Sequence, residues 1–294
     1  MNKIIKEACA KINLYLDVIS KYKDGYHEVN TVMQTVSLCD DVSVEIFQSD
    51  VRSIIVSCDV AGIPTDNRNI AWRAAELFLD KIDTTENYTV KIDITKRIPV
   101  SAGLGGGSSD AAAVICGLNE LLGNRLSLEE MLILGASLGA DVPFCIKGGC
   151  VFADGKGDSL YTLKNLPQSY VVVARGGEGA STPWAYGMLD KKFNDFADGK
   201  YIPYNKKDLV AALENGDLGE IGNNLYNVFE LAIFPERPTA AILKNMLVEG
   251  GAIGAIMSGS GTAVFGIFDN ESRAKESCDR INTFGHFACV STPV

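Results

Sequence analysis

A run of glycines followed by small polar residues and alanines, Pro99 to Ala113 (PVSAGLGGGSSDAAA), constrains the fold of this chain more than any other stretch. Its glycines reach positive φ values and let a ligand approach the backbone closely. The serines and the aspartate favour a helix N-cap, and the alanines favour the helix itself. A loop that opens a helix in this way presents unpaired N–H groups and the positive end of the helix dipole, which bind phosphate.

The flanking sequence distinguishes this loop from a flexible surface turn. Apolar and polar residues alternate from Tyr88 to Ile94, which predicts a strand, and apolar residues recur at helical spacing from Ala112 to Leu122. The loop matches neither of two common phosphate-binding types. No lysine follows Gly107, as a Walker A loop requires, and Ser108 stands where a dinucleotide fingerprint has its third glycine. The cations that complete the site must therefore come from elsewhere in the chain.

Length and charge exclude several classes of function. The chain has 294 residues, enough for two domains, and a formal net charge of −10. This acidic balance disfavours nucleic-acid binding, which needs clustered positive charge. No window approaches the ~20 apolar residues of a membrane span, and the first residues lack a signal-peptide pattern. We therefore expect a cytoplasmic protein that binds neither nucleic acid nor membrane.

The chain has eight cysteines and two histidines. No two cysteines form a C-x-x-C pair, which argues against a structural zinc site. Most stand among apolar residues, as buried thiols do. We therefore expect reduced thiols and assign no protein ligand to a metal.

Residues 8 to 18 alternate between apolar and polar side chains, which predicts a strand. Its polar face carries Lys11 and Asn13, and this face belongs either to a solvated edge strand or to a functional site. Asp24-Gly25 then predicts a hairpin turn. Tyr26 and His27 follow directly and either close that turn or stack on and hydrogen-bond a ring of a ligand.

A capping box at residues 127–130 predicts a helix that ends near Gly139. Asp141 comes just past that end, where the negative end of the helix dipole disfavours a carboxylate. It is either a turn residue before Val-Pro or a catalytic base.

The remaining pattern indicates an α+β fold. We expect a strand over 145–152 and a turn over 155–158, and we place the domain boundary there, between residues 1–155 and 156–294. The predicted elements that follow are a strand over 170–174, a loop over 176–189, helices over 208–214, 218–231, 239–248 and 271–281, and strands beside the turn Ser258–Gly261 and over 287–290. That turn is either a plain hairpin or a second small anion-binding loop.

Three regions, taken in order, resemble the signature regions of the GHMP small-molecule kinases. They are AKINLYLDV with DGYH, the glycine-rich stretch with LGADVPF, and MSGSGTAVFGIF. The resemblance implies a two-domain GHMP kinase fold, with an N-terminal domain like ribosomal protein S5 domain 2 and a ferredoxin-like C-terminal domain. It implies ATP-dependent phosphorylation of an alcohol. The pairing of DGYH with GADVPF is similar to members that act on the tertiary C2 hydroxyl of a cytidine-diphosphate-linked methylerythritol.

The resemblance also implies residue roles. Lys11 and Asp141 match the catalytic lysine and aspartate, so that Asp141 accepts the proton of the hydroxyl and Lys11 stabilises the charge that develops. The ATP-binding residues that it implies are Asn69, Lys96, Pro99, Val100, Ser101, Ala102, Gly103, Leu104, Gly105, Gly106, Gly107, Ser108 and Ser109. The substrate-binding residues that it implies are Asn13, Tyr26, His27, Thr182 and Tyr186, with Tyr26 and Tyr186 on either side of the pyrimidine.

The expected partners are small molecules: ATP, which brings Mg²⁺, and the cytidine-diphosphate-linked polyol. The chain itself is expected to be a monomer or weak homodimer. Two other functions stay open, namely the same fold acting on homoserine, mevalonate or a sugar, and a nucleotide-binding regulator without catalysis. An aromatic pair suited to a pyrimidine argues against the first, and the presence of both Lys11 and Asp141 argues against the second. Asn227 lies in a segment that departs from the usual family sequence, and we interpret it as structural.

Overall fold

The computed structural model describes residues 2–82, 86–155, 157, 159–193 and 203–294. The chain divides into two compact units, neither of them continuous in sequence. The first comprises Met1–Ala10, Cys39–Ile98 and Gly105–Lys147, and the second comprises Lys11–Leu38, Pro99–Leu104 and Gly148–Val294. Two long strands, β1 (Lys3–Lys21) and β2 (His27–Gln48), contribute residues to both units. Among the described residues, no helix has the length and apolar character needed to cross a bilayer.

The first unit is a sheet covered by helices. Its strand β4 (Tyr88–Thr95) runs parallel to β3 (Ser53–Cys58) and antiparallel to residues 41–48 of β2. From Val90 to Thr95, buried apolar residues alternate with exposed polar residues, which confirms the predicted alternation. The helices of this unit are α1 (Ile70–Lys81), α2 (Gly106–Leu121), α3 (Leu128–Leu138) and α4 (Val142–Lys147). Their buried side chains form one apolar core with the sheet.

The second unit contains an antiparallel sheet of order β11–β7–β10–β9. These strands are β7 (Tyr170–Arg175), β9 (Gly254–Met257), β10 (Val264–Phe268) and β11 (Phe287–Ser291). The helices α5 (Thr182–Lys192), α9 (Pro238–Glu249) and α10 (Glu271–Thr283) share an apolar core with it. Four shorter elements, α6 (Lys207–Asn215), α7 (Leu218–Asn223), β8 (Tyr226–Asn227) and α8 (Glu230–Ile233), lie between α5 and α9 in the sequence.

Two further strands of the second unit extend the pairing of β2. They are β5 (Cys150–Asp154) and β6 (Ser159–Leu163), which pair with each other, and β5 also pairs with residues 31–34 of β2. The predicted turn at Asp24-Gly25 is present, with Gly25 at a φ of +88°. The capping box of α3 is also confirmed, because the side chains and backbone groups of Ser127 and Glu130 bond reciprocally.

Three predicted elements are wrong. The strand expected over 145–152 is a short helix and a strand, because Gly148 and Gly149 both have positive φ and end α4. The helix expected over 218–231 is interrupted by β8, which pairs with β1. The loop expected over 176–189 contains the start of α5, which Ser181 caps. The predicted turn over 155–158 includes residues 156 and 158, which lie outside the described residues.

The polar face of β1 is buried. Lys11 is 4% exposed, Asn13 is 2% exposed, and Tyr15 and Asp17 are fully buried. The interpretation of this face as a solvated edge strand is therefore wrong. Burying an ammonium, an amide and a carboxylate is costly unless each is hydrogen-bonded, so these residues must have partners inside the protein.

The expectation that all thiols are reduced is also wrong. Cys9 of β1 and Cys39 of β2 form a disulfide, with their Cα atoms 3.9 Å apart. The two cysteines are 30 residues apart in the sequence, and only the strand geometry brings them together.

Candidate active site

The glycine-rich loop ends on a helix terminus without a side-chain cap. Gly105 is the N-cap residue of α2 with a φ of +71°, and among the described residues no side chain caps this terminus. The expected serine or aspartate cap is wrong, because α2 begins earlier, at Gly106, and includes those residues. Ser109 instead donates its hydroxyl to the carbonyl oxygen of Cys9 at 2.7 Å. A terminus of this kind keeps backbone N–H groups available for an anion.

The preceding part of the loop is fixed by backbone contacts within the second unit. The carbonyl oxygen of Leu104 accepts a hydrogen bond from the Lys11 amide at 2.9 Å, and that of Ala102 accepts one from the Ala263 amide at 3.0 Å. Gly103 has a φ of +80°, and a Cβ atom at this position would lie 2.2 Å from the carbonyl oxygen of Ser258. Glycine is therefore required at position 103 on grounds of both conformation and space.

Lys11 is held by its neighbour two residues along β1. Its Nζ atom donates a hydrogen bond to Asn13 Oδ1 at 2.7 Å, and Asn13 Nδ2 donates one to Thr31 Oγ1 at 2.8 Å. Thr31 in turn donates to the carbonyl oxygen of Tyr15 at 2.7 Å. The amide of Asn13, predicted to bind substrate, thus orients Lys11. Nothing in the sequence singled out Thr31.

The turn Ser258–Gly261 connects Lys11 with the glycine-rich loop. Ser258 Oγ donates to the carbonyl oxygen of Gly103 at 3.0 Å and lies 3.4 Å from Asn13 Oδ1. A Cβ atom on Gly259 would lie 3.1 Å from Lys11 Nζ, so the ammonium lies against the backbone of this turn. These contacts give the turn a positioning role that the sequence left undefined.

Asn227 fixes the same turn and is structural, as we interpreted it. Its Nδ2 atom donates to the carbonyl oxygens of Met257 at 2.7 Å and Gly259 at 2.9 Å. Its Oδ1 atom accepts from the Phe229 amide at 3.0 Å. This buried amide bonds three backbone groups, which explains why a strand residue interrupts the predicted helix here.

The rest of the polar face of β1 anchors a distant backbone segment. Tyr15 donates its hydroxyl to the carbonyl oxygen of Tyr204 at 2.7 Å, and Asp17 Oδ2 accepts from the Tyr204 amide at 3.0 Å. The rings of Tyr204 and Tyr226 stack with centroids 4.4 Å apart. Sequence spacing carries no signal for this contact, because 187 positions separate Asp17 from Tyr204.

Lys96, predicted to contact the adenosine end of ATP, is engaged inside the first unit. Its ammonium pairs with Asp40 and, at 2.7 Å, with Asp110 Oδ2, and the side chains of all three residues are at most 7% exposed. Burial alone would lower the pKa of Lys96, but the two carboxylates reverse this effect and raise it. The ammonium also lies 3.2 Å from where a Cβ of Gly106 would stand, directly beneath the start of α2.

The two acids of this cluster have different surroundings. Asp40 Oδ1 accepts from the amides of Arg97 at 2.6 Å and Ile98 at 2.8 Å. Asp110 Oδ1 is buried and has no hydrogen-bond partner among the described residues. Burial raises the pKa of Asp110 to about 7, although Lys96 acts to lower it. Burial therefore disfavours the charged form of Asp110.

Asn69 caps a helix. Its Oδ1 atom accepts from the Ala71 amide at 2.9 Å, and its Nδ2 atom donates to the carbonyl oxygen of Pro64 at 2.7 Å. The side chain is thus part of the local structure that begins α1. Its contact with a nucleotide stays a prediction.

Asp141 directly precedes α4 rather than ending α3. Its carbonyl oxygen accepts from the Cys145 amide at 3.0 Å, the first hydrogen bond of that helix. The expectation that Asp141 lies at the negative end of a helix dipole is therefore incomplete, because the positive end of α4 also faces this position and favours a carboxylate there. Asp141 is half-buried.

The predicted pyrimidine-binding residues meet at α5. His27 stacks on Tyr186 with ring centroids 4.6 Å apart, and Tyr186 meets Phe229 edge-on at 4.9 Å. Thr182, one turn earlier, has its hydroxyl oxygen 3.3 Å from Ser260 Oγ. Tyr26 is 64% exposed. The ring that stacks directly on Tyr186 is that of His27, so the placement of a pyrimidine between Tyr26 and Tyr186 stays a prediction.

We assign no magnesium ligand among the described residues. Among them, the group with metal-ligand spacing is Glu7, Cys9 and Cys39, and its two sulfurs are joined in the disulfide. Mg²⁺ prefers an octahedral set of oxygens. The buried carboxylates Asp40 and Asp110 are already paired with Lys96. We therefore treat Mg²⁺ as a part of the nucleotide substrate.

Comparison with known proteins identifies the class. The model of the GHMP kinases N terminal domain matches residues 69–149, and that of the GHMP kinases C terminal domain matches residues 209–286. A homoserine kinase from Cytophaga hutchinsonii shares the fold, with a TM-score of 0.78 at 20% identity over 100% of this chain and 95% of that one. The fold and its signature regions are thus those of the GHMP kinases, and the predicted α+β fold is confirmed.

Relatives with higher sequence identity show to which family within the GHMP kinases this chain belongs. A 4-diphosphocytidyl-2-C-methyl-D-erythritol kinase of Caldicellulosiruptor saccharolyticus is 43% identical over 281 residues, which span 96% of this chain and 93% of the relative. The enzyme of the same name from Acetivibrio thermocellus is 40% identical over 93% of each chain. A crystal structure of 4-(cytidine 5′-diphospho)-2C-methyl-D-erythritol kinase matches with a TM-score of 0.80 and 30% identity over 99% of each chain. This chain belongs to the 4-diphosphocytidyl-2-C-methyl-D-erythritol kinase family.

Proposed function

We propose that this protein transfers the γ-phosphoryl group of ATP to the C2 hydroxyl of 4-diphosphocytidyl-2-C-methyl-D-erythritol. The products are the 2-phosphate and ADP, in the non-mevalonate route to isopentenyl diphosphate. The observation that carries the proposal is 43% identity along 96% of the chain to a kinase named for this substrate. The buried Lys11, the glycine-rich loop and Asp141 supply the chemistry that such a transfer needs.

The glycine-rich loop, residues 99–109, is assigned to the phosphates of ATP. Support comes from the uncapped start of α2 and from the positive φ of Gly103 and Gly105, which expose backbone N–H groups. Mg²⁺ bound to the nucleotide offsets part of the phosphate charge. Asn69 and Lys96 are assigned to the adenosine end of ATP, and both side chains also make local hydrogen bonds that support this region.

Asp141 is assigned the role of general base. A tertiary alcohol is a weak nucleophile, and the carboxylate takes the hydroxyl proton as the oxygen bonds to the γ-phosphorus. The bond from that phosphorus to the bridging oxygen breaks, and ADP leaves. Lys11 is assigned to stabilise the negative charge that develops during transfer. Its bond to Asn13 limits the positions that the ammonium can take.

The cytidine portion is assigned to the residues around α5. His27 and Tyr186 present stacked rings, and an exposed Tyr26 adds a third aromatic side chain on the same hairpin. Stacking of a base on an aromatic ring contributes about 1–3 kcal/mol. Thr182 and Asn13 are assigned to the same substrate, and Asn13 also orients Lys11.

The setting of the reaction is also part of the proposal. We place the enzyme in the cytoplasm as a monomer or weak homodimer, acting on two soluble anionic substrates. The proposed domains in chain order are residues 1–155 and 156–294, and the two family models match on either side of that boundary.

A coupled ADP-release assay tests the activity. The purified protein is offered MgATP with the cytidine-linked polyol, homoserine or mevalonate in parallel. The expected result is turnover of the cytidine-linked polyol alone, with the 2-phosphate identified by phosphorus NMR. Turnover of homoserine or mevalonate without turnover of the cytidine-linked polyol would overturn the proposal.

A further inference from the structure

We propose that Asp190 is a positioning residue for pyrimidine recognition: it holds the imidazole of His27 in the plane in which that ring stacks on Tyr186. The role rests on the proposed function and adds a specificity-determining residue to it. Asp190 is on α5, where neither the sequence motifs nor the resemblance placed a functional acid.

One turn of α5 contacts both the face and the edge of the His27 imidazole ring. Tyr186 and Asp190 are four residues apart on α5 and therefore lie on the same side of that helix. The ring of Tyr186 stacks on the imidazole at 4.6 Å, and Asp190 Oδ1 lies 2.7 Å from His27 Nε2. These two contacts together fix both the position and the tilt of the imidazole.

The carboxylate also fixes the proton of the ring. An ionised carboxylate oxygen can only accept a hydrogen bond. The nitrogen that lies at hydrogen-bond distance from it, His27 Nε2, therefore carries a proton in this arrangement. The side chain of His27 is 6% exposed and that of Asp190 is 15% exposed, so water competes weakly for this bond.

A second cation keeps Asp190 charged. Lys21 Nζ lies 2.5 Å from Asp190 Oδ2, on the carboxylate oxygen that His27 does not use. Burial alone would raise the pKa of Asp190, but the hydrogen bonds from Lys21 and His27 outweigh it and lower the pKa. Lys21 and His27 are on opposite strands of the hairpin around Asp24-Gly25, so one carboxylate ties both strands to α5.

The consequence concerns binding rather than chemistry. A pyrimidine that stacks on a ring already fixed in place loses less conformational entropy than one that must order the ring first. Loss of Asp190 should therefore weaken binding of the cytidine portion and leave the phosphoryl-transfer step unchanged.

The test compares Asp190→Ala and Asp190→Asn with wild type. We expect Asp190→Ala to raise the KM for the cytidine-linked polyol and the Kd for cytidine 5′-diphosphate about tenfold, the scale of one lost charge-assisted hydrogen bond. Asp190→Asn keeps an acceptor for Nε2, so it should raise the KM and the Kd by a smaller factor than Asp190→Ala does. The kcat and the KM for ATP should stay within about twofold of wild type, as expected for lost binding alone. Glu28→Gln is the matched control, because Glu28 bonds Ser20 on the same hairpin.

A spectroscopic measurement separates positioning from general destabilisation. The chain has only two histidines, so ¹⁵N spectra of the imidazoles resolve His27 with His286 as an internal reference. We expect Asp190→Ala to shift the ring nitrogens of His27 and leave those of His286 unchanged. Unchanged His27 signals, or an equal rise in KM for ATP and for the polyol, would overturn the role of Asp190.

The outcomes for Asp190 and for the proposed function are distinguishable. Wild-type protein that does not phosphorylate the polyol would refute the proposed function, and a weaker binding of cytidine 5′-diphosphate by Asp190→Ala than by wild type would still support the role of Asp190. Wild-type turnover with unaltered KM and Kd in Asp190→Ala would refute the role of Asp190 alone.

Discussion

The side-chain ammonium of Lys11 donates a 2.7 Å hydrogen bond to the amide oxygen of Asn13, two residues along the same buried strand. Alternate residues of a strand share a face, so β1 itself places the two side chains together. Asn13 is oriented in turn by Thr31. The position of the proposed catalytic lysine is thus determined by a strand and not by a mobile loop.

Replacement of Asn13 tests this arrangement. In Asn13→Ala the ammonium loses an acceptor and gains rotational freedom, so we expect kcat to fall by about 10- to 100-fold, the scale of a misplaced electrostatic group. Thr31→Val removes only the hydroxyl that orients Asn13 and should have a smaller effect. Steady-state kinetics distinguish the roles, since a rise in KM for the polyol at constant kcat would instead show that Asn13 binds substrate.

The close approach of Gly103 to the backbone of Ser258 predicts that a methyl group added at position 103 strongly destabilises the protein. Gly103→Ala places a Cβ atom 2.2 Å from a backbone oxygen at a φ of +80°. We expect the free energy of unfolding to fall by at least ~2 kcal/mol, and ATP affinity to fall with it. Urea titrations and nucleotide-binding measurements check both.

Gly187→Ala is the matched control for that substitution. Gly187 is on α5, and a Cβ atom there meets nothing within 4 Å. Alanine is the better helix former, so this variant should be more stable than wild type by about 0.5–1 kcal/mol. Equal losses in the two alanine variants would contradict the assigned contact.

The base assignment predicts a loss of turnover without a loss of nucleotide binding. Asp141→Asn keeps the size of the side chain and removes its ability to accept a proton. We expect kcat to fall at least ~10²-fold while the Kd for ATP is unchanged. Glu129→Gln neutralises an exposed acid on α3 and serves as the control. Near-normal turnover in Asp141→Asn would exclude Asp141 as the base.

The cluster around Lys96 predicts a pH dependence of stability. The pKa of Asp110 is raised from 3.8 to about 7 in the folded protein, mainly by burial. Between these values the folded state retains a proton that the unfolded chain has released, so the free energy of unfolding falls as pH rises. Asp110→Asn removes this titration. Its stability relative to wild type should therefore increase from pH 5 to pH 8, by on the order of 1–3 kcal/mol.

Denaturant titrations at several pH values measure that difference. Asp80→Asn, at an exposed acid on α1, is the control and should differ from wild type by a constant amount. An Asp110→Asn advantage that does not change with pH would mean that Asp110 titrates as an ordinary carboxyl.

Local signals in the sequence predicted much of the fold. The alternation in β1 and β4, the capping box of α3 and the glycines before α2 each depend on neighbours within a few residues. Such signals are visible in a sequence because they reflect local geometry, namely the alternation of side chains along a strand and the chemistry of a helix end.

Contacts between distant residues account for the errors. The pair between Lys96 and Asp40 was missed because the two residues are 56 positions apart, and no periodicity reveals such a pair. The helix predicted over 218–231 has the right spacing of apolar residues, but Asn227 bonds the turn near residue 258 instead. Asp190 was missed because its partner His27 is 163 positions away.

The two faces of β1 also limit how this protein can diverge. Lys11, Asn13 and Asp17 share one buried face, while Ile12, Leu14 and Leu16 fill the other. Gain or loss of a single residue within this stretch would turn the polar side chains of β1 toward the apolar core. Each buried polar group left without a hydrogen bond would then destabilise the fold by about 2–7 kcal/mol. Descendants of this sequence can therefore substitute residues in β1, but an insertion or deletion there would remove the fold and the lysine together.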